Sequence, residues 1–283
     1  MRIGGKKRWL IVFAAVLLIN GNAFGQVLDG IFVPEHTNNR QVIQWTHLRE
    51  ADVMWHKRIW RVLDLREKQN QIFYYPTVPA NNRKSLIDVI FDGIKNDGTL
   101  TAYDALFGED FSLTLSLQEV LEKISGVTET AWVPSPDPPY DLESKITTTE
   151  FNNSSIKLYR LKEEWFFDKQ RSVMEARIIG ICPVEEELDE EGLVKGPKPL
   201  FWLYFKEARY VFINHETYNR YNDVERRTYD DVFWKRQFAS YIYKESNVFN
   251  RKIQNYAAGL DALLEADRIK YEMITKEIDY WSY

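Results

Sequence analysis

A lone cysteine, four histidines, two adjacent carboxylate pairs and two aromatic runs are the residues of this chain whose types and spacing suit chemistry. Cys182 is the only thiol, and a catalytic cysteine needs a histidine that linear spacing does not supply here. It closes the run SVMEARIIGICPV (172–184). Strand alternation places it with Met174, Ala176, Ile178 and Gly180, and sets Glu175 and Arg177 on the other face. A thiol on an apolar face acts as a small hydrophobe with a raised pKa, the opposite of an activated nucleophile. His36 and His215 stand alone in the sequence. His47 and His56, read as sharing a helix, are nine residues apart and so fall on opposite faces. No histidine pair has the i, i+4 spacing of a zinc-protease helix. These patterns predict no catalytic residue, no cofactor and no metal site.

Glu163-Glu164 and Asp230-Asp231 are neighbours, and neighbours on a strand or helix point in different directions, so surface charge is the expectation. The nucleophile elbow, dinucleotide loop, P-loop and EF-hand patterns are all missing. Two readings remain for the aromatics Trp165, Phe166, Phe167, Phe201, Trp202, Tyr204 and Phe205. They form a sugar-stacking platform, as in an exported carbohydrate-binding or carbohydrate-active protein. Alternatively, they form one side of a core whose other side is Phe233, Trp234, Phe238 and Tyr241, with the surplus meeting a partner protein.

The N-terminus reads as an export signal. Lys6, Lys7 and Arg8 precede the apolar run 9–19, and Ala23-Phe24-Gly25 offers small residues for cleavage before Gln26. The run is shorter than the ~20 residues that span a bilayer as a helix, and a retained membrane anchor is the alternative to cleavage. No cysteine follows it, so no lipidated N-terminus is expected. Loss of Arg2, Lys6, Lys7 and Arg8 would move the net charge from −5 to −9. That balance argues against nucleic acid, which needs basic patches. With one cysteine there is no intrachain disulfide, and the core must supply stability unaided.

Residues 26–45 lack periodicity and read as an extended arm. From 46 to 70, Leu48, Met54, Trp55, Ile59, Val62, Leu63 and Leu65 suggest a helix, part of a helical region 46–129. Ser85 with Asp88 marks the cap of a helix over 86–95, and a second is expected over 115–124. The proline-rich stretch 130–154 reads as a surface connection. Residues 155–167 and 172–184 form a hairpin about the turn 168–171, 185–199 a charged loop, and 199–205 a third strand. From Tyr229 to Leu263 apolar residues step by threes and fours, predicting one long helix capped at Asn222 or Asp223, with Gly259 as a kink. The fold class is α+β: N-terminal helices, a small antiparallel sheet with a β-hairpin at about 155–184, and a long C-terminal helix. Residues 155–283 are read as one core with 46–129.

WHKRIWRVLDLREKQN (55–70), EEWFFDKQRSVMEARIIGICPV (163–184), DDVFWKRQFASYIYKESNVFNRKI (230–253) and GLDALLEADRIKYEMITKEIDYW (259–281) resemble the signature blocks of the GldN/PorN family. The resemblance implies a periplasmic, non-enzymatic subunit of the gliding-motility and type IX secretion machinery of Bacteroidetes. It further implies a ring built with a GldK/PorK-like outer-membrane lipoprotein, several copies of the chain itself, and coupling to a GldM/PorM-like motor protein. The arm would then order on a partner.

Overall fold

The computed structural model describes residues 40–281, apart from 81, 107–108, 126–128, 135–141, 148–152, 189–193, 220–221 and 223–224. Every described residue lies in one compact unit, Asn38–Tyr283. The export signal and most of the arm therefore lie outside the described residues.

β1 (Val53–Asp64) occupies the segment whose apolar spacing suggested a helix. The correction has a physical cause. Ile59 and Leu63 bury on one face of the strand while Trp60 and Val62 bury on the other. A strand covered on both sides loses its alternation, and its mixed spacing then imitates a helical period. His56 accordingly sits on a strand. Within 46–70 the only helical turn is the short 3-10 turn Glu50–Asp52; the single turn α1 (Gln71–Tyr74) comes after the expected range, followed by α2 (Leu86–Lys95), β2 (Ala102–Asp104) and α3 (Leu117–Ser125). Ser85 caps α2 as expected, its hydroxyl accepting from the Asp88 amide at 3.3 Å. Ser116 and Glu119 form a reciprocal cap on α3, which begins two residues later than expected.

β3 (Glu129–Pro134) pairs with β4 (Leu142–Thr147) as a separate two-stranded ribbon, so part of the expected connection is hydrogen-bonded structure. β5 (Ile156–Asp168) and β6 (Val173–Leu188) form the expected hairpin. Asp168 holds its turn, accepting from the Gln170 amide at 2.9 Å and from Arg171 at 2.6 Å. The Arg171 bond keeps its carboxyl below the usual range. β6 then outruns the hairpin and pairs with β7 (Val194–Pro199), so the supposed charged loop is an edge ribbon that matches Glu185 with Lys198. β8 (Phe201–Tyr204) fulfils the third-strand expectation and runs directly into α4 (Phe205–Phe212).

The single helix expected from Tyr229 is three pieces: α5 (Tyr229–Trp234), β9 (Tyr241–Glu245) and α6 (Leu260–Trp281). Thr228, not Asn222 or Asp223, caps α5 through a capping box with Asp231. Arg236 and Asn250 carry positive φ angles of 52° and 49° and turn the chain between the pieces. Asn247 knits the second turn, its amide donating to Glu245 and Arg251 carbonyls at 3.0 and 2.8 Å. Gly259, with φ of 58°, precedes α6 and does not kink it.

Seven strands make the main sheet in the order β2-β8-β6-β5-β1-β9, with β7 beside the far end of β6. All its pairings are antiparallel. One core cluster joins Leu63, Leu161, Ile178 and Ile181 to helices α2–α5, and a second joins Ile59 and Ile242 to Ala266, Ile269 and Met273 of α6. A third lies on the opposite face, where Phe111 from the connection between β2 and α3 packs against it. The architecture is α+β, with a larger sheet than expected and a long C-terminal helix.

Candidate functional site

Cys182 is fully buried beside Trp60, Val62, Leu158, Val184 and Trp202. Burial pushes its thiol up to about 12, so it stays protonated at neutral pH. The core role holds, but its expected neighbours change. Lys162 pairs with Gly180 and Glu163 with Ile178, leaving Ile179 as a β-bulge. That extra residue reverses the alternation, so Cys182 shares a face with Gly180 and Val184 while Ile178 joins Ile181 on the other. His56 approaches Glu164 at 3.7 Å, and the His215 ring bonds the Val211 carbonyl at 2.9 Å as a local cap of α4. His36 lies outside the described residues. Among the described residues no group of histidine, cysteine and carboxylate side chains could hold a metal ion.

Phe166, Phe167, Phe201, Trp202 and Phe205 are all buried, as are Phe233 and Phe238, and are not laid out as a sugar-stacking platform, whereas Trp234 and Tyr241, expected on the other side of the core, are 42 and 40 % exposed. Trp165 is half-buried and caps an ion cluster. Its Nε1 donates to Glu163 at 2.9 Å, and the guanidinium groups of Arg61 and Arg236 lie 5.5 and 5.1 Å from its ring.

That cluster was not legible in the sequence. Glu163 is fully buried, accepting from Arg61 at 3.1 Å and from Arg236 at 2.8 and 2.9 Å. Asp230 is buried too, and receives a two-pronged bond from Arg209 at 2.7 and 3.1 Å. Surface charge is thus corrected for one member of each carboxylate pair. The neighbours behave differently: Glu164 meets Arg58 at 3.0 Å on the outer face, and Asp231 closes the α5 cap.

The two buried pairs flank a groove of about 420 Å³ between β6 and helices α4 and α5. Met174, Ala176 and Ile178 from the strand face Phe205 and Phe233 from the helices. Arg209 lies across one side, between the rings of Trp45 and Trp234 at 5.1 and 4.8 Å. Arg177 stacks on the same Trp45 and on Phe166, at 5.6 and 4.9 Å, and donates to the Thr46 carbonyl at 2.9 Å. Arg40 bonds Asp231 at 3.2 Å and Gln44 bonds Tyr210 at 3.3 Å. The described end of the arm therefore lies along α4 and α5 with Trp45 as its anchor. Arg171, Arg209 and Arg236 each already have a carboxylate partner. Such a compensated, aromatic cleft suits a protein segment better than an anionic small molecule.

α6 offers a different surface. Ala266, Ile269 and Met273 bury against the sheet, and Tyr280 meets Phe167 with ring centroids 5.1 Å apart. Yet Leu260, Leu264, Tyr271, Ile274, Ile278 and Trp281 are between 43 and 70 % exposed. No helix among the described residues is long and apolar enough to cross a membrane.

No curated protein matches the chain. A family model described as gliding motility associated protein GldN matches residues 48–282, a span that takes in every element from β1 to α6. The chain belongs to the GldN family, which associates it with gliding motility and type IX secretion.

Proposed function

We propose that this chain is a non-enzymatic structural subunit of the type IX secretion and gliding machinery. In this reading it is exported to the periplasm and held at the inner face of the outer membrane by a GldK-like lipoprotein. Repeated copies of the two proteins build a ring, and the ring engages the periplasmic part of a GldM-like motor protein. The observation that carries the reading is the family match over 48–282, which covers the sheet, α6 and every lining residue of the groove except Trp45. The chemistry of the molecule supports the reading in kind. Its buried charges brace one element against another, at Glu163 and Asp230, and its surplus apolar surface lies on the outside of α6.

Deletion of the gene tests the proposal. Gliding and cargo secretion are expected to fail together, and a Cys182→Ala copy is expected to restore both, since the thiol only fills space. A deletion strain that glides and secretes normally contradicts the proposal, and failure of Cys182→Ala despite normal protein levels contradicts the non-enzymatic reading.

A further inference from the structure

Leu260, Leu264, Tyr271, Ile274, Ile278 and Trp281 share one exposed face of α6. They follow alternating steps of four and three, with Asp267 filling the position between Leu264 and Tyr271. That is the spacing of a helix-pairing seam sustained over three heptads. At 100° per residue the exposed row centres roughly 140° from Ala266, Ile269 and Met273, which hold α6 on the sheet. The two apolar faces are therefore separate, and the body of the molecule uses only one. From their fractional exposures these side chains, with Leu263 beside them, present on the order of 900 Å², near the ~800 Å² that each partner of a standard interface contributes. Single apolar residues on a surface are ordinary, but a continuous patch of this size is not.

We infer that the outer face of α6 pairs antiparallel with α6 of a second copy of this chain, about a two-fold axis between Glu272 and Met273. The charges bordering the seam select this arrangement. With Tyr271 set against Ile274 of the second copy, Leu264 meets Trp281, and Lys270 falls beside Glu277 on both sides of the axis. Sliding the second helix by one heptad, so that Leu264 meets Ile274, sets Lys270 against Lys270 and Arg268 against Arg268. Moving the other way sets Glu277 against Glu277. A parallel pair in register stacks Asp267 on Asp267 at the seam. The described ion pairs of α6 use Glu265, Arg268 and Glu272, which leaves Lys270 and Glu277 to border the seam. Asp267 faces Ile278 in the selected register, a polar seam position that fixes alignment at some cost in strength.

The inference goes beyond the ring assignment and stands without it. Sedimentation of the purified protein across micromolar concentrations, with no lipoprotein present, is the test. A monomer–dimer equilibrium is expected. Leu264→Glu with Ile278→Glu, both exposed positions, is expected to abolish it with unfolding midpoint unchanged. Lys270→Glu alone and Glu277→Lys alone are each expected to weaken it about 10-fold, and the two together to restore it. A protein that stays monomeric at 100 μM-scale concentration, on the order used for weak dimers, overturns the inference. So does a dimer that ignores both glutamates, or a double charge swap that fails to recover. Sedimentation of the monomer with lipid vesicles, lost in the same glutamate variant, would assign the face to a membrane surface and overturn it equally.

Discussion

Asp230 and Arg209 show how far a residue's role here depends on partners remote in sequence. Both side chains are below 10 % exposed, and their two-pronged bond is walled by Trp45 and Trp234. Removing one partner of a buried pair leaves the other charge desolvated and unanswered, whereas replacing both with apolar groups removes the desolvation cost as well. Asp230→Ala is therefore expected to lower unfolding stability by about 3–5 kcal/mol, while Arg209→Met with Asp230→Leu stays near neutral. Urea unfolding of the two variants measures the contrast. The sequence offered no sign of this burial. Glu163 looks like one half of a surface pair, and its partners Arg61 and Arg236 stand 102 and 73 positions away. Only the fold brings them together, so the groove they border was illegible too. Cys182 was legible because its apolar neighbours adjoin it in sequence, although the bulge at Ile179 exchanged which of them share its face.

At the scale of elements, caps are legible from neighbouring residues, whereas hydrophobic period misleads wherever a strand is covered on both faces. The caps at Ser85 and Ser116 rest on side chains three residues from the amides they serve; the sequence announces the first, while the second is masked by the apolar Leu115, which moves the expected helix start past it. β1 imitates a helical period because both its faces are covered. The segment 229–263 imitates one long helix because Arg236 and Asn250 turn the chain where no glycine or proline announces it. The opposite sheet face carries a further dependence between elements. Phe111, at φ of 55°, lies over Gly180, with the rings of Tyr103 and Tyr204 edge-on at 5.3 and 5.6 Å and Lys162 5.2 Å from its centroid. A Cβ at position 180 would stand 2.6 Å from the Phe111 ring. Lys162 and Lys244 anchor the same connection through the Glu109 carbonyl and, at 2.7 Å, its carboxylate. Gly180→Val is expected to cost about 1–3 kcal/mol, as overpacked sites do. Phe111→Ala added to it should recover part of that loss, because the clash partner is gone. Denaturant midpoints of the four proteins in this cycle give the coupling directly; additive losses would mean that Phe111 does not rest on Gly180.

At the scale of the molecule, a few buried charges such as Glu163 and Asp230 brace one element against another, while an apolar row stays exposed on α6. Its α+β class was readable from segment order, since the β5–β6 hairpin and a C-terminal helix dominate the pattern. Its family was readable from four long blocks that the match over 48–282 encloses. Affinity purification of the tagged protein from native cell envelopes, followed by electron microscopy, is decisive for its role. The outer-membrane lipoprotein is expected to co-elute in a fixed ratio, in ring-shaped particles that contain both proteins. Elution of the chain alone from a soluble extract, with the lipoprotein left in the membrane fraction, would contradict the assignment.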